Sequence, residues 1–288
     1  MTFAERRFTS QDGLSLYFRD YGRPDAPGVP AVCLTGLTRN AKDFASFAER
    51  LSSKRRVLCP DYRGRGRSQY DPDWRNYRPQ TYLDDIRHLL AITQVQRAVF
   101  VGTSMGGLLA AAMTVTAPAT VAGVVMNDCG PDLDPAGLAR IFEYIGRDRP
   151  KDSWEDAATE LRAMFPDLPL QGDAGWLEMA RSTYREGADG RLHFDWDVRL
   201  ARPLIAAVEP MPDLWAIFRA LDRVPTVALR GAHSDVLSAA TFARMARDNR
   251  NLCAITVPGV GHAPSLAEPP ARAAIDALFA GLDGIGDL

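Results

Sequence analysis

From Ala98 to Asn127 the chain carries no charged side chain. The run is longer than the roughly 20 apolar residues that cross a bilayer. Yet it holds Pro118, several threonines, and glycines at 102, 106 and 107. The reading that accommodates all of these is a buried strand, a sharp turn, a buried helix and a second buried strand. Strands covered on both faces lose their polar alternation, so a parallel sheet with helices on each side is expected.

The rest of the chain repeats that alternation. After the "QDG" turn, Leu14, Leu16 and Phe18 alternate with polar residues. "VPAVCLTG" and "RRVLCPDYRG" are further short strands. Between them, Phe44, Phe47, Ala48 and Leu51 recur at helical spacing behind Asp43. Leu83, Ile86 and Leu90 mark another helix, and "RAVFVG" and "VAGVVMND" two more strands. The pattern then changes. From about residue 134 to 222 the signals are mostly helical: Leu138, Ile141, Phe142 and Ile145 share a face. Ser153 and Asp156 form a capping box, and Leu214, Ile217, Phe218 and Leu221 follow Asp213. "FPDLPLQGD", "REGADG" and "ARPL" read as loops between them. Strands resume at "PTVALRG" and "LCAITVPG", and Ala271, Ala274, Ile275 and Leu278 close the chain with a helix. An insertion after a parallel strand sits at the edge where ligands bind in open α/β sheets, which is where a lid would lie.

The formal net charge of −2 gives no long-range reason to expect nucleic acid or an anionic membrane as a partner. "DYRGRGRS", Asp61 to Ser68, is one short arginine–glycine copy and reads as a turn rather than an RNA-binding tract. Cys33, Cys59, Cys129 and Cys253 form no paired motif and read as buried thiols of a reducing compartment. With no apolar leader in "MTFAERRFTSQDG", the expected location is cytoplasmic. The four histidines show no metal-ligand spacing, so no metal and no cofactor are expected.

"GTSMG" places Gly102, Ser104 and Gly106 between a predicted strand and a predicted helix. Glycine in regular structure costs about 0.5–1 kcal/mol against alanine, so clustered glycines imply a demand on backbone shape. A strand-to-helix elbow makes that demand, lifting the Ser104 hydroxyl above the sheet edge and over a helix N-terminus. A serine needs a base, and the base an orienting acid. His262, in the Gly-rich loop of "VPGVGHAP", is the favoured base. His88 lies within a helix, His193 in the insertion, and His233 beside an acid candidate. Two aspartates compete as the acid: Asp235 in "LRGAHSDVLS" is favoured, and Asp128, at the end of the strand after the serine helix, is the alternative.

Taken in order, "LTGL", "DYRGRGRS", "GTSMGG", "NDCGPDLDPAG", "LRGAHSD" and "VPGVGHAP" make the sequence resemble the α/β-hydrolase family over nearly its whole length. The resemblance implies an α/β fold with a mostly parallel eight-stranded sheet, helices on both faces, and a helical cap inserted after the sixth strand. The core would comprise residues 1–132 and 223–288, the cap 133–222. It implies Ser104 as nucleophile, Asp235 as acid, His262 as base, and an oxyanion hole from the Leu37 and Met105 N–H groups. Many members carry His-Gly where this chain has Thr35-Gly36.

The expected reaction is hydrolysis of a small-molecule carboxylic ester or lactone through an acyl-enzyme, without a cofactor. Ser104 argues against relatives that use an aspartate nucleophile. Carbon–carbon cleavage of meta-cleavage-type diketones uses the same triad and stays open, as does a non-catalytic ligand receptor or scaffold on the same fold. Arg140, Arg147, Arg199 or Arg202 could meet a substrate carboxylate. Phe142, Phe165, Trp176, Phe194 and Trp196 could line an acyl pocket. The expected partner is a small-molecule substrate, with no nucleic acid and no membrane; monomer and homodimer are equally open.

Overall fold

A computed structural model describes residues 2–132, 141, 144–165, 168, 170, 172–206 and 213–284. Eight strands form one sheet: β1 (Phe3–Thr9), β2 (Ser15–Tyr21), β3 (Gly28–Leu34), β4 (Arg55–Pro60), β5 (Ala98–Thr103), β6 (Val121–Asn127), β9 (Thr226–Gly231) and β10 (Leu252–Val257). Their spatial order is β1-β2-β4-β3-β5-β6-β9-β10. β1 and β2 pair antiparallel, β2 meets β4 antiparallel, and the remaining pairs are parallel. This is the α/β-hydrolase fold.

The period-2 geometry of a strand sends alternate residues to opposite faces. Val32, Leu34, Phe100, Val124 and Met126 face one side, with Leu83, Ile86 and Leu90 of α2 (Pro79–Thr93) and Leu109 and Met113 of α3 (Met105–Thr116). Ala31, Cys33, Val99, Val101 and Val125 face the other. There they meet Phe47 and Leu51 of α1 (Ala45–Leu51) and Ile275 and Phe279 of α9 (Pro269–Asp283). Each fully buried Val, Leu, Ile or Phe contributes about 1.5–3 kcal/mol over an exposed one, so the two-sided core dominates stability.

The helix expected behind Asp43 begins earlier. A 3-10 turn over Ala41–Phe44 leads into α1, and its cap is Asn40, whose side chain accepts from Lys42 N. Asp43 instead pairs with Arg39 at 2.6 Å. Cys33, Cys59 and Cys129 are buried, but Cys253 is exposed, because β10 is the last strand of the sheet. Helix α8 (Ala239–Asp248) has no counterpart in the sequence reading; Ser238 caps it and Phe242 and Met245 anchor it.

Between β6 and β9 lie α4 (Trp154–Met164), α5 (Gly172–Thr183), α6 (Ala201–Ala206) and α7 (Leu214–Arg219). The Ser153 and Asp213 caps form as expected, accepting from Asp156 N and Ala216 N. The "REGADG" stretch is not a plain loop but belongs to a hairpin of β7 (Tyr184–Glu186) and β8 (Leu192–Phe194). Its strands are three residues each, too short to announce themselves by alternation, and Gly190 takes φ +78° in the turn. Of the face assigned to Leu138, Ile141, Phe142 and Ile145, Leu138 and Phe142 lie outside the described residues, and Ile145 is buried. No described helix is long and apolar enough to cross a membrane.

Candidate active site

β3 and β5 run side by side, with Leu34 paired to Gly102. After β3 the chain turns towards β4, and after β5 towards β6, so a crevice opens between the two departing loops. Ser104 stands in that opening, between β5 and the first residue of α3. It has φ +53° and ψ −121°. Such a conformation costs a non-glycine residue about 1–3 kcal/mol and persists only where its surroundings enforce it. Here Ser104 N donates to Asn127 O at 2.9 Å, and Ser104 O accepts from Gly107 N at 2.9 Å and Leu108 N at 3.2 Å.

The flanking glycines answer to contact rather than to φ. A Cβ at Gly102 would lie 2.2 Å from Gly106 O, one at Gly106 would lie 2.0 Å from Leu34 O, and one at Gly107 would lie 2.3 Å from Cys129 Sγ. The Cys129 thiol sits under the elbow, its pKa pushed up by burial and then by the neighbouring Asp128 charge.

Opposite the serine runs the loop after β3. A Cβ at Gly36 would lie 3.8 Å from Ser104 Cβ. The Leu37 and Met105 N–H groups have no hydrogen-bond acceptor among the described residues. Met105 N–H also opens α3, where the helix dipole favours negative charge. Thr35, at the departure from the family pattern, braces this loop by donating through Oγ1 to Arg39 O at 3.2 Å.

His262 follows β10, and its side chain is 15% exposed, so one ring edge remains reachable. Its Nδ1 meets Asp128 Oδ2 at 2.6 Å. The carboxylate facing the imidazole is therefore Asp128, not the favoured Asp235. Asp235 is exposed, four residues beyond the end of β9. The reason is geometric. β6 and β9 are neighbours, Asn127 pairing with Leu229, so both aspartates leave the same sheet edge. Asp128 takes φ +54° directly at the end of β6, and its side chain is 0% exposed. Ser104, Asp128 and His262 keep the same chain order as the set with Asp235, so order could not separate the two.

Both carboxylate oxygens of Asp128 are engaged. Gly231 N donates to Oδ1 at 2.8 Å, and Ser234 Oγ donates to Oδ2 at 2.6 Å. Arg230 holds the Ser234 loop through Leu237 O at 2.7 Å and Ala232 O at 3.2 Å. Asn127 Nδ2 bridges Thr103 Oγ1 at 3.0 Å and Pro264 O at 2.8 Å, tying the elbow to the histidine loop. Neither Ser234 nor Asn127 is marked in the sequence, because the partners that give them these roles lie 24 to 137 residues away along the chain.

The other histidines lie elsewhere. His88 is partly buried against Phe8, His233 is exposed, and His193 pairs with Asp148 at 2.6 Å and Asp189 at 3.0 Å. Among the candidate arginines, Arg199 is bound to Asp197 and to Asp71 O, Arg202 lies over Trp74, and Arg147 is exposed. Phe194 stacks on Trp196 at 4.1 Å, Phe165 meets Tyr144 edge-on, and Trp176 is buried, so these rings pack the inserted segment itself. Arg140 and Phe142 lie outside the described residues. Among those described, no group of three or more His, Cys, Asp or Glu is placed to hold a metal ion.

"DYRGRGRS" folds inward. Arg63 is buried among Asp12, Asp71 and Asp85. Burial alone would weaken its proton affinity, but hydrogen bonds to Asp85 and Asp12 reverse that and keep it charged. Arg65 is 0% exposed, and Arg67 pairs with Glu5 at the surface. Asp61 accepts from Ala41 N at 2.7 Å and Arg67 N at 2.8 Å; burial pushes its pKa up to about 6.

Comparison with known proteins agrees with this fold. The model of the alpha/beta hydrolase family matches residues 31–277. A 3-hydroxybutyrate-oligomer hydrolase of Cupriavidus necator is 33% identical over 276 residues, covering 92% of each chain. A 2-(acetamidomethylene)succinate hydrolase of Mesorhizobium japonicum is 26% identical over 83% of this chain and 84% of its own. The crystal structure of an alpha/beta hydrolase from Novosphingobium aromaticivorans superposes with a TM-score of 0.90 at 42% identity, covering 97% of this chain and 98% of that one. Matched nearly end to end in sequence and in fold, the chain belongs to the alpha/beta hydrolase family.

Proposed function

We propose that the protein is a serine hydrolase that cleaves a small-molecule carboxylic ester or lactone through an acyl-enzyme, with Ser104, His262 and Asp128 as its triad. The observation that carries this reading is the 2.6 Å contact of His262 Nδ1 with buried Asp128, at the sheet edge that also presents the Ser104 elbow. With Nδ1–H held by the carboxylate, Nε2 is the basic nitrogen. It takes the Ser104 proton as Oγ attacks the carbonyl carbon, and Asp128 stabilises the imidazolium that forms. The Leu37 and Met105 N–H groups receive the developing oxyanion, a term of roughly 3–4 kcal/mol per donor in comparable sites. His262 then gives its proton to the leaving alkoxide. Water, deprotonated by the same imidazole, releases the acid and restores Ser104.

The segment between β6 and β9 acts in this reading as a lid. Supporting it, Arg39, two residues past Leu37, reaches Thr183 Oγ1 at 2.6 Å and Ser182 Oγ at 2.9 Å at the end of α5. The likeness to a 3-hydroxybutyrate-oligomer hydrolase puts short esters of hydroxy acids first among substrates.

The test is a panel of hydroxy-acid dimers and trimers, p-nitrophenyl esters, lactones and meta-cleavage diketones, with mass spectrometry after a fluorophosphonate. Ester or lactone turnover abolished by an adduct on Ser104 supports the reading. Absence of both adduct and turnover overturns it, and turnover of the diketones alone moves the assignment to carbon–carbon cleavage.

A further inference from the structure

Arg65 is an expensive residue for a turn. Its side chain is fully buried, and no carboxylate pairs with it among the described residues. Its Nη2 also lacks a hydrogen-bond partner among them. A buried cation without an anion is costly unless other contacts hold it. What holds this one is a cage of tyrosines. The guanidinium carbon lies 4.7 Å from the centre of the Tyr82 ring, 5.7 Å from Tyr62 and 5.8 Å from Tyr77. Nη1 donates to Arg63 O and to Tyr82 Oη, both at 2.8 Å.

The remaining bond points at the chemistry. Nε donates to Leu37 O at 2.8 Å. Leu37 is the residue whose own N–H is free and faces the crevice beside Ser104 in the reading above. On the far side, the Arg65 main chain bridges Trp196 of the inserted segment.

We propose that Arg65 is a positioning residue for the oxyanion loop, acting through the Leu37 carbonyl to fix the Leu37 N–H. This rests on the triad reading of the site and adds to it a group that never touches substrate. Locking the carbonyl of Leu37 restrains the rotation of the residue that carries the donor, so the N–H is aimed before the tetrahedral centre forms. A preorganised donor matters most in the transition state, so its loss is read in kcat rather than in KM.

The experiment compares wild type with Arg65→Gln and Arg65→Lys on the best ester of the panel. Rates are expressed per site titrated to completion with a fluorophosphonate, so that misfolded protein does not count. A trifluoromethyl ketone, whose hemiketal oxyanion occupies the same donors, serves as transition-state mimic. The expected result for Arg65→Gln is a fall in kcat of about 100-fold with KM changed less than about threefold, and a matching loss of ketone affinity. Arg65→Lys, which keeps the charge and one donor, is expected to recover part of both. Should Arg65→Gln not fold, Arg65→Lys and Tyr82→Phe carry the same comparison with smaller losses. An active wild type whose kcat per site and ketone affinity are indifferent to these changes overturns this inference alone. A wild type with no turnover and no Ser104 adduct overturns the hydrolase reading and this inference with it.

Discussion

The Ser234 hydroxyl donates to Asp128 Oδ2 over 2.6 Å, the same oxygen that meets the His262 ring. The loop after β9, where the sequence reading placed the acid, thus contributes a hydroxyl donor, and β6 contributes the charge. Asp128→Asn is expected to lower kcat by about 10⁴, because the amide would select the wrong imidazole tautomer. Asp235→Asn should stay within about threefold of wild type, because Asp235 is exposed and the imidazole Nδ1 is already held by Asp128. Steady-state rates on one ester check both, and a reversed ranking returns the acid to Asp235.

Ser234→Ala removes one donor from Asp128 and leaves the Gly231 N–H on the other oxygen. A hydrogen bond to a charged group is worth about 1.5–3 kcal/mol, so kcat should drop roughly 10- to 100-fold. Ser234→Thr, which keeps the hydroxyl, should recover most of that rate. Parallel kinetics on the two variants read the difference.

Two glycines give opposite outcomes. A methyl group at Gly102 would meet Gly106 O at 2.2 Å, backbone against backbone, so Gly102→Ala should cost more than about 4 kcal/mol and prevent accumulation of folded protein. Gly281, in α9, has nothing within 4 Å of its would-be Cβ. Gly281→Ala should therefore stabilise by up to about 1 kcal/mol. Thermal melts and soluble yield distinguish the pair.

His193 gives the inserted segment a pH dependence. Its hydrogen bond to Asp148, and then that to Asp189, raise its pKa above the ordinary imidazole value. A raised pKa in the folded state means the charged ring favours folding. That stabilisation is complete below the unfolded value of about 6.5 and fades as pH climbs through the higher folded value. Wild-type Tm should therefore fall with rising pH above about 6.5 more steeply than that of His193→Gln. Melting curves at several pH values check it, and parallel slopes would remove His193 from the account.

Much of this architecture is written locally. Val99 to Val101 and Val124 to Met126 announce buried strands, and the glycines around Ser104 announce a turn too tight for side chains. What local reading misses depends on residues far apart in the chain. Arg63 and Arg65 read only as parts of a turn, and their burial depends on Asp12, Asp71, Asp85 and the tyrosine cage folding around them. Asp128 and Asp235 leave neighbouring strands in the same chain order, and only the backbone at the end of β6 decides which one the imidazole meets. The β7–β8 hairpin carries three residues per strand, too few for a periodic signal.

Gly66 N donates to Asp195 O at 2.9 Å and Asp197 N to Gly64 O at 2.8 Å, on either side of the Arg65–Trp196 bridge. Lys42 and Asn40 hold the Asp195 carboxylate, and Tyr77 Oη donates to Asp197 at 2.6 Å. The inserted segment is thus stitched to the main sheet's loops midway along its length, not only where it leaves and rejoins. Swinging it out as one hinged flap would tear that whole seam at once. In the lid reading, opening falls to the stretches on either side of this seam, while the seam itself stays shut.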